Sequence, residues 1–142
     1  MSESILEFTV PGEPKGKGRP RVTRTGHAFT PKDTVMYENL VRTSFTQEYP
    51  GHIPITDKEI TAVIKAYYGM PKASKKKTTQ MIEGVIRPKK KPDLDNIAKA
   101  VLDSLNGIAY KDDSQIVSLT IDKAYSLQPR VDVWLKYQCE DT

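Results

Sequence analysis

Leu6, Phe8 and Val10 alternate with Glu7 and Thr9, the two-residue period of a half-buried strand. A run rich in Pro and Gly, Pro11 to Arg21, then excludes helix and regular strand. Thr30, Pro31 and Asp33 read as a helix start, with the Thr30 hydroxyl as cap, and Tyr37, Leu40, Val41 and Phe45 give one apolar face running to about Glu48. Pro50, Gly51 and Pro54 break that helix. Ile60, Ala62, Ile64, Ala66 and Tyr68 alternate with Thr61, Val63, Lys65 and Tyr67, which predicts a central strand. Residues 69–91 are basic and weakly patterned, and Ser74 is placed to cap a short helix ending at Gly84. Leu94, Ile97, Ala98, Val101, Leu102 and Leu105 then recur at helical spacing, which predicts a helix from about Asp93 to Leu105 stopped by Asn106-Gly107. Residues 116–125 and 131–138 read as strands joined through Gln128-Pro129. This order predicts an α+β fold, a small mixed β-sheet with helices packed on it. The length of 142 residues fits one domain, 1–142, with basic loops at about 11–28 and 69–91.

No apolar run approaches the roughly 20 residues of a membrane span. The N-terminal residues lack the basic-then-apolar order of a secretory signal, so the expected location is cytoplasmic. Cys139 is the single cysteine, which excludes an internal disulfide and argues against a zinc site. The net charge of +4 conceals an asymmetry: residues 1–91 carry 17 Lys and Arg against 9 Asp and Glu, and residues 92–142 carry 5 against 9. Three basic clusters stand out, namely Lys15, Lys17, Arg19, Arg21 and Arg24; Lys72 with Lys75, Lys76 and Lys77; and Arg87 with Lys89, Lys90 and Lys91. Such clusters suit a polyphosphate ligand, because each neutralised phosphate releases condensed counterions. Beside an acidic group they suit a nuclease, in which cations hold the backbone and carboxylates hold the metal that attacks it.

The acidic group follows Pro92. Asp93 lies at the start of the predicted helix, and Asp95, Lys99 and Asp103 share one stripe at i, i+4 and i+8. Asp112 and Asp113 follow in a short loop that returns toward the helix. Singly, these are a helix cap, a surface ion pair and turn residues. Together they crowd like charges, which Mg²⁺, a hard cation taking carboxylate, phosphate and water oxygens, would relieve. Other constellations fail. Three residues separate Gly12 from Gly16-Lys17 where a phosphate-binding loop needs four, and Gly18 stands where Ser or Thr would hold the metal. His27 and His52 fall in separate polar loops, and Trp134 and Tyr137 read as sheet residues.

The stretches KPDLDNIAKAVLDSLNG and YKDDSQIV, within Pro92 to Val117, resemble the signature of the RusA family of Holliday junction resolvases: D-x-D-N-x-x-K, an aspartate further along, then D-D-x-Q-[IV]. The resemblance implies a RusA-like, homodimeric fold and a metal-dependent crossover junction endodeoxyribonuclease, bacterial or phage-encoded. It would cut four-way DNA junctions by paired symmetric nicks in recombination and repair, with Mg²⁺ as cofactor and Mn²⁺ as a substitute. It maps catalytic and metal-binding roles onto Asp93, Asp95 and Asp113, and a functional lysine onto Lys99. The helix-to-Asp112 segment is one residue shorter than in the best-known member, which leaves Asp112 open as a ligand. The loop KGKGRPR replaces an Asn-rich loop, as in phage and prophage members. DNA contacts are expected from Lys15, Lys17, Arg19, Arg21, Arg24, Lys75, Lys76, Lys77, Lys89, Lys90 and Lys91. A binding protein that recognises branched DNA without cutting it is the alternative.

Overall fold

The computed structural model describes residues 2–18 and 20–139; Arg19, one of the expected DNA contacts, lies outside them. Strand β1 (Ser2–Pro11) is followed by a two-stranded ribbon, β2 (Arg21–Val22) and β3 (Ala28–Phe29), and then by helix α1 (Lys32–Glu48). Strand β4 (Ile60–Gly69) precedes the short α2 (Lys75–Ile82) and α3 (Leu94–Ser104). A single 3₁₀ turn (Asp113–Gln115) leads into β5 (Ile116–Ser126) and β6 (Arg130–Cys139).

The main sheet has the order β1-β6-β4-β5. The β6 strand runs antiparallel to both β1 and β4, while β4 and β5 are parallel. A parallel pair needs a long crossover, and the segment carrying α2 and α3 supplies it. The expectation of an α+β fold with a mixed sheet and packed helices therefore holds.

Alternation sorts the faces. Leu6, Phe8 and Val10 stand in register with Leu135, Val133 and Val131, which stand in register with Ala62, Ile64 and Ala66, and all nine are buried. Onto this face α1 brings Tyr37, Val41 and Phe45, and α3 brings Ile97, Val101 and Leu105, forming one core cluster. Phe45 sits at its centre, edge-on to Phe8 at 5.3 Å and against the His52 ring at 5.2 Å. His52 also meets the Ala109 carbonyl at 3.0 Å through Nε2, a structural role.

Two local readings change and a third holds. The ribbon β2–β3 lies inside the expected loop at 11–28; strands of two residues are too short for their alternation to register. Thr30 is not the cap of α1: the helix begins one residue later, with Pro31 at the cap position and no side-chain cap bond. Ser74 does cap α2, accepting from the Lys77 amide at 3.2 Å.

Truncating Phe45 to Ala leaves a cavity between the sheet and α1. It should cost about 3–5 kcal/mol, read from urea unfolding; a cost below about 1 kcal/mol would show that this aromatic contact does not organise the core.

Candidate active site

Helix α3 buries Ile97, Ala98, Ala100, Val101, Leu102 and Ser104. That burial turns the stripe Asp95, Lys99 and Asp103 outward. Asp93 occupies the cap position, but its carboxylate accepts no hydrogen bond from the helix amides, so capping does not account for it.

Beyond α3 the chain is pinned before it reaches β5. The Tyr110 hydroxyl donates to the Leu102 carbonyl at 2.6 Å, and the Lys111 amide donates to the Ile55 carbonyl at 2.9 Å. The two aspartates of the loop then divide. Asp112 caps the 3₁₀ turn: its carboxylate accepts from the Ser114 amide at 3.0 Å, and Gln115 Oε1 accepts from the Asp112 amide at 3.0 Å. Gln115 Nε2 reaches back to the carbonyls of Ile55 and Lys58 at 3.1 and 3.3 Å. Asn106 Oδ1 accepts from the Asp113 amide at 2.7 Å, and the Asp113 side chain is turned to hydrogen-bond that of Asp103.

Asp103 has a second partner. Lys17 Nζ, from the N-terminal loop, lies 2.8 Å from Asp103 Oδ2 and 3.7 Å from Glu38 Oε2 on α1. Burial pushes the Asp103 carboxyl up, but hydrogen bonds from Lys17 and Asp113 and the charges of Lys17 and Lys99 outweigh it and hold the group below its ordinary value. Asp113 moves up, first through burial, then through its hydrogen bond to Asp103 and the charges of Asp103 and Asp112. The two carboxyls are therefore driven apart, Asp103 toward the charged form and Asp113 toward the neutral one. The Asp103 hydrogen bond chiefly raises the Lys17 ammonium's pKa.

Lys99, Leu102, Asp103, Asp113, Ile116 and Leu119 line an open hollow of about 320 Å³ at the C-terminal end of α3. At the N-terminal end, Asp93 lies in a groove of about 670 Å³ between Glu13, Lys15 and Lys17 on one side and Lys90 and Lys91 on the other. Both groove walls are tied down. The Glu13 carboxylate accepts from the Gly69 amide at 2.8 Å; opposite, Lys123 Nζ donates to the Lys90 carbonyl at 2.7 Å and the Tyr68 hydroxyl to the Pro92 carbonyl at 3.1 Å.

The site residues expected from sequence are thus split between two places. Asp113 and Lys99 share the hollow, Asp93 lies in the groove, and Asp95 is exposed between them. Eight helical residues, about 12 Å, separate Asp95 from Asp103. Among the described residues, no three acidic, His or Cys side chains converge to hold a metal ion. Of the expected DNA contacts, Lys15, Lys90 and Lys91 flank the groove, and Arg21 and Arg24 are exposed on or beside the ribbon. Lys75, Lys76, Lys77 and Lys89 are exposed. Lys17 departs from expectation, because its ammonium is engaged by carboxylates. Glu38 went unread; an acid on the buried side of α1, one turn after Thr34, was the available signal. Asn106 was read only as a helix stop, and its side chain also orients Asp113.

A family model described as Endodeoxyribonuclease RusA matches residues 11–136. The chain belongs to the RusA endodeoxyribonuclease family. The matched residues run from the end of β1 through most of β6 and include all of α3 and the D-D-S-Q turn. It is also similar to the uncharacterized protein YqaN of Bacillus subtilis (strain 168), 42% identical over 137 residues that cover 92% of this chain and 95% of that one. Family membership makes this a nuclease fold.

The opposed shifts of the carboxyl pair are open to direct observation. In ¹³C carboxyl NMR against pH, Asp113 should lose its proton at higher pH than Asp103, and Lys17→Met should narrow the gap by raising Asp103. Coincident midpoints in the wild type would contradict the hydrogen-bonded arrangement.

Proposed function

We propose that the chain is a Mg²⁺-dependent endodeoxyribonuclease that resolves four-way DNA junctions by paired symmetric nicks, as a homodimer, in recombination and repair. The observation that carries this reading is the pair of Asp103, on α3, and Asp113 beside Lys99, with Asp93 between basic loops at the other end of the helix and Asp95 exposed near it. Two hard-oxygen donors in contact fit Mg²⁺, which takes one or two carboxylates and completes its shell with phosphate and water. Asp113 with Asp103 would hold the ion at the C-terminal end of α3, with Asp93 and Asp95 as the acids of the N-terminal end. Asp112 is committed to its turn, which favours Asp113 over it. Mn²⁺ offers the same hard-ligand chemistry.

When bound, the metal supplies Lewis acidity toward the scissile phosphate and an activated water. The chain's own residues place the substrate. Lys15, Lys90 and Lys91 attract the backbone into the groove, where contacts set position without reading sequence. Lys99, exposed between the two ends, is placed to offset charge developing on the phosphate. Products would be a 5′-phosphate and a 3′-hydroxyl. Symmetric nicking needs two active sites, which a two-fold dimer provides. One continuous core supports a single domain over 1–142. No helix among the described residues is long and apolar enough to cross a membrane, and we propose a cytoplasmic location.

A second reading is favoured by the lack of a converged three-acid group among the described residues: a protein that binds branched DNA without cutting it. Cleavage of a labelled mobile four-way junction separates the two. In Mg²⁺ the wild type should give paired nicks, and EDTA should abolish them. Asp113→Asn and Asp95→Asn should lower the rate by about a hundred-fold or more, whereas Asp112→Asn should stay within about three-fold. Junction-selective binding with no nick in Mg²⁺ or Mn²⁺ would select the binding protein. Loss of cleavage in Asp112→Asn alone would reverse the choice between Asp112 and Asp113.

Binding should also weaken steeply with salt, with a log–log slope of about −0.9 per phosphate neutralised. Electrophoretic titration in EDTA over a range of salt reads this directly. A nearly flat slope would exclude the basic loops as the DNA surface.

A further inference from the structure

The N-terminal loop carries five Lys and Arg within ten residues, yet one of them, Lys17, faces the protein. Lys17 extends its ammonium between two elements, to Asp103 on α3 at 2.8 Å and to Glu38 on α1 at 3.7 Å. All three side chains are largely enclosed, with 27%, 25% and 12% exposure for Lys17, Asp103 and Glu38. Backbone bonds fix the same residues. The Lys17 amide donates to the Asn96 carbonyl at 3.3 Å, and the Gly18 amide donates to Thr34 Oγ1 at 2.8 Å. The two glycines let the loop lie this close. A Cβ at Gly16 would stand 2.9 Å from Pro92 Cβ, and one at Gly18 would stand 2.7 Å from Thr34 Oγ1. The loop's neighbouring cation, Lys15, is exposed at the lip of the groove that contains Asp93.

We propose that Lys17 is a positioning residue: its ammonium, seated between Asp103 and Glu38, fastens the basic loop across α3, so that Lys15 is held at the groove beside Asp93 while Lys17 itself makes no phosphate contact. The DNA half of this statement rests on the junction-binding function proposed above; the fastening half stands on the contacts alone. One cation is shared by carboxylates from two helices, so removing it frees the loop and leaves Glu38, Asp103 and Asp113 with less positive charge beside them. A lysine already satisfied by two acids has no free charge with which to displace counterions from DNA.

Two measurements test it together. Hydrogen–deuterium exchange reads the Lys17 and Gly18 amides in the wild type, Lys17→Met, Glu38→Gln and Lys17→Arg. Both Lys17→Met and Glu38→Gln should speed exchange at these amides by about ten-fold, and Lys17→Arg should keep them protected. Amides of β4 should keep wild-type protection in every variant; faster exchange there as well would reduce Lys17 to a general stabiliser of the fold and overturn the proposal. Junction binding in EDTA, titrated against salt, reads the second half. Lys17→Met should raise the Kd by about three- to ten-fold, since a released Lys15 binds less well, while the log–log salt slope stays at the wild-type value. Lys17→Arg should restore the Kd. A slope shallower by about 0.9 in Lys17→Met, with unchanged exchange in the loop, would make Lys17 a phosphate contact and overturn the proposal. If the wild type binds no junction, the proposed function fails, and the exchange arm still decides whether Lys17 fastens the loop.

Discussion

The burial of one side of α3 is the constraint from which the candidate site follows. Ile97, Val101 and Leu105 must leave water, and the core formed by β1, β6, β4 and α1 is where they go. Rotation about the helix axis is then fixed, because the apolar stripe has one partner face. Asp95, Lys99 and Asp103 are carried outward by the same rotation. The chain beyond the helix is short and pinned through Tyr110 and Lys111, so Asp113 returns to the end of that stripe. The charged line along α3 is the obverse of the hydrophobic core.

Along that line the acids meet different neighbours. At the C-terminal end Lys17 and Lys99 help hold Asp103 low, while burial and the neighbouring acids push Asp113 up. At the N-terminal end Asp93 sits uncapped in a groove edged by Lys15, Lys90 and Lys91. The loop that lines the groove also reaches the carboxylate pair through Lys17, so the two ends are mechanically connected.

Much of this was legible in the residues. The alternation of Ile60 to Tyr68 and the helical spacing of Leu94 to Leu105 report burial directly, and the observed strands and helix agree within a residue or two. The D-D-S-Q motif was legible as a constellation but not in its division of labour, since only the fold decides that Asp112 caps and Asp113 faces Asp103. The carboxylate partners of Lys17 were hidden for the same reason. A lysine among prolines and glycines looks solvated, and its partners lie 21 and 86 positions away, where no local pattern reaches. Thr30 failed as a cap because the helix starts one residue late, a shift within the ordinary uncertainty of helix ends.

The order of the sheet has a consequence for synthesis. The last strand, β6, is inserted between β1 and β4, the first strand and the central one. During translation β1 therefore leaves the ribosome long before β6, the strand it pairs with. The pairing of Ser2 with Cys139 is strongly non-local, and topologies dominated by such pairings fold slowly. Until β6 emerges, Leu6, Phe8 and Val10 lack the strand that aligns them, and α1, which packs on the same face, is available earlier to cover them. The sheet closes from the C-terminus, and the core that orients α3 is completed last.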